Sequence, residues 1–330
     1  MAELIRLQSD GLVGPNNRFH IDAWGPAAIN LITHAHGDHA RPGSQEYWCA
    51  EDCAPILRHR LGPEIRVKAV PYRRRERLGD CWVSFHPAGH VRGSAQIRIE
   101  QGSDVCVVTG DYKRDPDPTC EAFEPVPCDT LITEATFGLP VYRWNAPSDS
   151  AMEVMQWWDW CRREGVTAML FCYALGKAQR ILAELRHHTD DEVLLHGAVA
   201  SLTQIYREQG VAMLPTRSVS DAMGPMEGRL VLAPPSAHRS PWMKRFHSVS
   251  TAFASGWMAL RGIRRRRGYH RGFVLSDHAD WNGLLHTVQE TGASRVLVTH
   301  GSSETLARYL REVKGLRAES LATAFGEEED

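Results

Sequence analysis

No run of about 18 apolar residues free of charge occurs anywhere in the 330-residue sequence, which argues against a membrane-spanning helix. The first residues, Met1-Ala2-Glu3-Leu4-Ile5-Arg6, are not followed by the apolar stretch of a secretory leader, so the expectation is a cytoplasmic protein with no membrane partner. Paired cysteines are lacking too. The eight cysteines are scattered, and the nearest pair, Cys49 and Cys53, does not have C-x-x-C spacing; neither a redox dithiol nor a zinc knuckle is indicated, and reduced thiols are expected. No internal repeat and no low-complexity linker is evident. Net charge is almost absent at −2, yet it hides local asymmetry. Arg73-Arg74-Arg75-Glu76-Arg77 and Arg264-Arg265-Arg266-Arg267 are positive blocks, and Gly326-Glu327-Glu328-Glu329-Asp330 is an acidic end.

What is present is an ordinary globular composition, 43% hydrophobic, in a chain long enough to bury a large core. The first third alternates short apolar runs with Gly, Pro and Asp punctuation, which predicts strands over residues 19–23, 28–33, 67–71, 82–86, 95–100 and 105–109, with another over 128–133. From residue 140 the character changes. A helix carrying Met152, Val154, Met155, Trp157, Trp158 and Trp160 precedes a strand at 167–171, and its tryptophans read as core, with base stacking as the competing use. Strands at 193–195 and 230–233 alternate with helical runs at 181–185 and 200–209, the pattern of a parallel α/β unit. Strand character resumes near 272, a helix follows over 282–290, and an apolar strand then ends at His300. The expected organisation is a core of residues 1–140 and 266–330 with residues 141–265 inserted into it.

Leu31-Ile32-Thr33-His34-Ala35-His36-Gly37-Asp38-His39 delivers a buried strand into three histidines and an aspartate. Imidazole nitrogen and carboxylate oxygen suit zinc and similar metals, and residues at a strand end could serve two adjacent ions. Other segments also end in groups able to ligate or transfer protons: Asp22, His90 in Pro87-Ala88-Gly89-His90, Asp111 after Val107-Val108-Thr109-Gly110, Glu134 in Glu134-Ala135-Thr136-Phe137-Gly138, His278 in Ser276-Asp277-His278-Ala279-Asp280, and His300. For Asp22 alone, a turn carboxylate is the competing explanation; for Glu134 with His278, a structural hydrogen bond.

These motifs together resemble the β-CASP branch of the metallo-β-lactamase superfamily, over residues from about 15 to 305. Leu175-Gly176-Lys177-Ala178-Gln179 and the stretch from Ser255-Gly256-Trp257 to Trp281 are similar to the bacterial ligase-associated DNA exonucleases within it. The resemblance implies a metallo-β-lactamase αββα sandwich with an inserted β-CASP α/β domain. It implies His34, His36 and His90 on one divalent metal, Asp38, His39 and His300 on a second, Asp111 bridging them, and zinc or manganese as the metals. Asp22 would accept a hydrogen bond from a ligating imidazole. The implied reaction is phosphodiester hydrolysis by a two-metal-activated hydroxide, with His278 as general acid oriented by Glu134. The implied partner is DNA with single-stranded or resected ends, in DNA repair and in functional association with an ATP-dependent DNA ligase. His300 keeps an RNA-processing nuclease, of the mRNA 3′-end-processing or ribonuclease J-like kind, as the alternative. Arg264, Arg265, Arg266 and Arg267 are candidate phosphate contacts lining a groove between core and insertion, and Arg73-Arg74-Arg75 and Lys113 with Arg114 are further candidates, although a charge run is usually a solvated face. A non-catalytic nucleic-acid-binding module would lack ligands, and all seven are present.

Overall fold

The computed structural model describes residues 4–144, 147–260, 262 and 268–322. The chain divides into two compact units, one formed by residues up to 143 with those from 278 onward, the other by residues 144–277.

In the first unit, β1 (Arg6–Gln8), β2 (Gly11–Val13), β3 (His20–Ile21), β4 (Ile29–Leu31), β5 (Glu46–Ala50) and β6 (Val67–Val70) form a six-stranded sheet in sequence order. A seven-stranded sheet has the order β19-β18-β11-β10-β9-β8-β7, from β7 (Glu76–Leu78), β8 (Cys81–Pro87), β9 (Ala95–Gln101), β10 (Asp104–Val108), β11 (Thr130–Thr133), β18 (Arg295–Val298) and β19 (Arg317–Ser320). Period-two alternation explains how they pack. In β8, Val83 and Phe85 point inward opposite Ile99 and Ile97 of β9, while Trp82 stays on the outside. Those residues share a core with Leu12, Phe19, Ile21, Leu31 and Trp48 of the first sheet, so the two sheets lie face to face. The other face of the second sheet, through Val107, Leu131, Val296 and Val298, is covered by Leu284, Val288, Leu306 and Leu310. These come from two later helices, Trp281–Thr291 and Ser303–Glu312.

Direction matters more than layering. β10, β11 and β18 are mutually parallel, and β8 runs the same way because both β8 and β10 are antiparallel to β9. Their C-terminal ends therefore open on one edge. The end of β4 joins it, since Ala95 donates its N–H to Thr33 O at 2.7 Å.

The second unit is an all-parallel six-stranded sheet, β14-β13-β15-β12-β16-β17, built from β12 (Thr167–Phe171), β13 (Val193–Leu195), β14 (Thr216–Ser218), β15 (Leu230–Ala233), β16 (Val249–Ala254) and β17 (Arg271–Phe273). β12 and β15 are buried along their whole length, as expected of strands covered on both faces. The helices Pro147–Glu164, Lys177–Leu185 and Gly197–Glu208 belong to this unit. Trp157 and Trp158 are core, donating their indole N–H groups to Ser250 Oγ and Gly228 O, whereas Trp160 is 43% exposed.

The mixed α/β character is as expected. β5 and β16, with the helices Cys53–Leu61 and Ser303–Glu312, are not anticipated from the sequence. β16 reads Val-Ser-Thr-Ala-Phe-Ala, too rich in small and hydroxyl residues to stand out as an apolar run. The last helix buries only Leu306, Ala307 and Leu310, a single narrow stripe. Truncating Phe85, which is fully buried between the sheets, should destabilise the first unit by about 3–5 kcal/mol, read as a lower denaturant midpoint for Phe85→Ala.

Candidate metal centre

The common edge gathers the groups that the sequence singled out. His34, His36, His90 and Asp111 form one cluster and Asp38, His39 and His300 a second, with the ligand atoms of each cluster within 4.8 Å of one another. Asp111 stands between them: its Oδ2 lies 3.5 Å from His34 Nε2, 3.4 Å from His39 Nε2 and 4.0 Å from His90 Nε2. Its approach depends on Gly110, in the left-handed region at φ +56°, where a Cβ would stand 2.5 Å from Thr33 Cβ. Gly89 has the same role before His90, since a Cβ there would meet Lys113 O at 2.5 Å.

A second layer fixes the imidazoles. Asp22 accepts from Thr33 N at 2.8 Å and Thr33 Oγ1 at 2.6 Å, and its Oδ2 lies 2.7 Å from His39 Nδ1. Thr33 Oγ1 also lies 3.1 Å from His34 Nδ1. Engaging both Nδ1 atoms turns both Nε2 atoms towards Asp111. At the other end of the site, Thr299 Oγ1 lies 2.9 Å from His300 Nδ1. Neither threonine was singled out from the sequence, although Thr33-His34 and Thr299-His300 each follow an apolar strand and share that signal.

Charge in the cluster is unevenly shared. Burial, reinforced by the neighbouring His39, pushes the His34 imidazole well below its ordinary range. Burial acts the same way on His39, but the carboxylates of Asp38, Asp111 and Asp22 outweigh it and hold this imidazole well above. Burial would raise the Asp111 carboxyl, yet the surrounding histidines, His39 first, hold it well below the carboxylate range. His300 is lowered, chiefly by burial. His34 Nε2 and Asp111 Oδ1 are buried with no hydrogen-bond partner among the described residues, which in a packed interior marks either a cost or a ligand position. A nitrogen-rich donor set with two carboxylates fits divalent transition metals of the zinc and manganese kind.

Beside this cluster, His278 Nδ1 lies 3.1 and 3.0 Å from the two oxygens of Glu134. Glu134 also accepts from Tyr112 N at 2.7 Å and Thr136 Oγ1 at 2.5 Å. Glu134 thus receives donors from three residues, and with Asp111 and His278 it makes a third group of potential ligand atoms within 4.8 Å of one another. The His278 ring is 4.7 Å from that of His90, which puts it at the margin of the metal cluster.

The predicted basic contacts fare differently. Lys113 is not at the surface: its ammonium is buried and bonded to Asp117 Oδ2 at 2.5 Å, because the chain after Asp111 folds inward. Arg114 forks onto Glu290 at 2.5 and 3.1 Å, so its charge is already matched. Arg264, Arg265, Arg266 and Arg267 lie outside the described residues, as does the acidic end at 326–330.

No family model matches the chain. It is 32% identical over 312 residues, 94% of its length, to a protein named probable DNA ligase from Opitutus terrae, of which it spans 30%. It is 29% identical over 120 residues to the Endoribonuclease YSH1 of Gibberella zeae, matching 36% of this chain and 14% of that one. It is 30% identical over 138 residues to cleavage and polyadenylation specificity factor subunit 3 of Dictyostelium discoideum, matching 40% and 17%. The chain thus spans less than a third of each of these relatives. A crystal structure of a protein of unknown function from Enterococcus faecalis shares the fold, with a TM-score of 0.60 at 11% identity over 90% of this chain and 80% of that one. With the histidine-rich cluster at the strand ends of two packed sheets, these relatives match the β-CASP branch of the metallo-β-lactamase superfamily that the sequence motifs resemble.

Removing the Asp22 carboxylate should free the His39 ring and loosen Thr33. Asp22→Asn is expected to lower metal affinity about 10- to 100-fold, measured by competition with a chromophoric chelator. Gly110→Ala, which drives a methyl group into Thr33, should reduce metal retention on dialysis.

Proposed function

We propose that the protein is a metal-dependent phosphodiesterase, a DNA exonuclease acting on single-stranded or resected ends in DNA repair. The observation that carries the reading is the position of Asp111, whose one carboxylate stands between two ligand clusters with His278 and Glu134 alongside. On this reading the first unit is the metallo-β-lactamase αββα sandwich and the second the inserted β-CASP domain. His34, His36, His90 and Asp111 would hold one cation, and Asp38, His39 and His300, with Asp111 beside them, the other. Two divalent cations, zinc or manganese, would supply Lewis-acid stabilisation of the charge that develops on a phosphodiester.

The remaining work falls to the chain itself. Glu134 engages His278 Nδ1, so the proton available for transfer is the one on Nε2, and it passes to the leaving oxygen. Asp22, Thr33 and Thr299 hold the ligating rings in a single tautomer. Arg264, Arg265, Arg266 and Arg267 are the proposed contacts to the phosphate backbone. The choice of DNA, and of functional association with a DNA ligase, is supported by a ligase-named relative that matches 94% of this chain.

RNA processing is the second reading, favoured by partial matches to an endoribonuclease and to a cleavage and polyadenylation factor subunit. End-labelled DNA and RNA oligonucleotides of one sequence, digested side by side with zinc and with manganese, separate the two. DNA shortened from an end is expected; cleavage of RNA alone overturns the DNA assignment. His36→Ala and Asp38→Ala should each abolish cleavage while leaving far-ultraviolet circular dichroism unchanged, and full activity in either variant would overturn the site.

A further inference from the structure

We propose that Lys177 and Arg180 are positioning residues for His278, acting through the two residues that precede it in the chain; this rests on the acid role proposed above. Lys177 lies in the Gly-Lys-Ala-Gln motif, to which the metal chemistry assigns nothing. Its ammonium is only 2% exposed and bonds at 2.7 Å to Oδ2 of Asp277, also 2% exposed. Arg180, one turn along the same helix, donates from Nη1 to Ser276 O at 2.7 Å and from Nε to Glu184 Oε1 at 2.7 Å.

The start of that helix is itself locked. Gly176 donates its N–H to Gln179 Oε1 at 2.8 Å, and Gln179 Nε2 donates to Ala174 O and to Thr203 Oγ1, each at 3.0 Å. Downstream of His278, Ala279 N donates to Tyr112 O at 2.7 Å, and Asp280 Oδ1 caps the next helix by accepting from Gly283 N at 2.7 Å. The residues just before His278 are thus held by the helix Lys177–Leu185, Ala279 just after it is held by Tyr112, and the His278 ring lies against Glu134.

Energetics say why an ion pair is informative here. Burying a lysine and an aspartate costs several kcal/mol of desolvation per charge, and apolar residues of similar volume often serve stability as well or better. What a buried pair offers is a defined distance and direction. A general acid needs that, because a displacement of about 1 Å can cost on the order of 100-fold in rate. The peptide bond between Asp277 and His278 transmits the constraint.

The test compares the wild-type protein with Lys177→Met, Arg180→Met, His278→Ala and the double variant Lys177→Met with Asp277→Leu. Each is assayed on an end-labelled oligonucleotide, whose alkoxide leaving group needs a proton, and on bis(p-nitrophenyl) phosphate, whose phenolate does not. Lys177→Met and Arg180→Met should lower kcat on the oligonucleotide by about 10- to 100-fold with little change in KM, and lose far less on the activated diester. The same skewed pattern is expected of His278→Ala, with bound metal unchanged throughout. The double variant should regain thermal stability, as an apolar replacement of a buried pair does, without regaining oligonucleotide cleavage. Equal losses on both substrates, or recovery of cleavage together with stability, overturn the positioning role. A wild-type protein inactive on both substrates overturns the hydrolytic reading and this inference with it, whereas an active wild type with unskewed variants overturns this inference alone.

Discussion

The carboxylate of Asp111 is the constraint around which the first unit is arranged. It sits between two sets of imidazoles, and it reaches that position only because Gly110 lets the chain pass Thr33 at a distance no side chain would tolerate. Thr33 in turn spans Asp22 and His34. A buried chain of contacts thus runs from the end of β10 to the end of β4, joining the two sheets where their strands finish. The sandwich core sets how far apart those ends stand, and the hydrogen bonds set which nitrogen of each ring faces inward.

Much of this was legible in the sequence because it is local. A buried strand followed by His-Ala-His-Gly-Asp-His concentrates ligands in a few residues, and His90, Asp111 and His300 each stand just beyond an apolar run. The pairings were not legible, since they join residues far apart in the chain. That Asp22 meets His39 follows from the parallel pairing of β3 with β4, which no single segment encodes. Thr33 and Thr299 were passed over because threonine at a strand end is commonplace, and only the ring nitrogen beside each hydroxyl gives it a role. Basic residues show the converse. Lys113 and Arg114 read as a cationic pair, yet folding supplies each with its own carboxylate, Asp117 and Glu290.

The site is expensive to maintain, and the magnitudes show how the fold bears it. Each buried polar atom without a partner costs about 1–3 kcal/mol, and His34 Nε2 and Asp111 Oδ1 are two such atoms. A buried phenylalanine between the sheets contributes about 3–5 kcal/mol against truncation. Phe19, Phe85 and the isoleucines of β9 lie in the same core, so a few side chains offset the strain of the ligand edge. Apolar packing and metal chemistry share each strand without competing, because alternation sends one set of side chains into the core while the polar residues come after the last paired residue.

The same logic separates the two kinds of buried charge in the chain. Around Asp111 the charges are close-set and uneven: the carboxylates hold His39 high, while burial holds His34 low. Asp277 is instead held by Lys177 at 2.7 Å and faced by Arg180 at 3.5 Å, and Arg180 also ties down the neighbouring carbonyl of Ser276. Their consequence is mechanical: together the two cations hold the side chain of Asp277 and the carbonyl of Ser276, just before His278 in the chain. The histidine and carboxylate clusters thus belong to strand ends of the sandwich, whereas the buried lysine pair joins the opening turn of a helix to an aspartate 100 residues further along the chain.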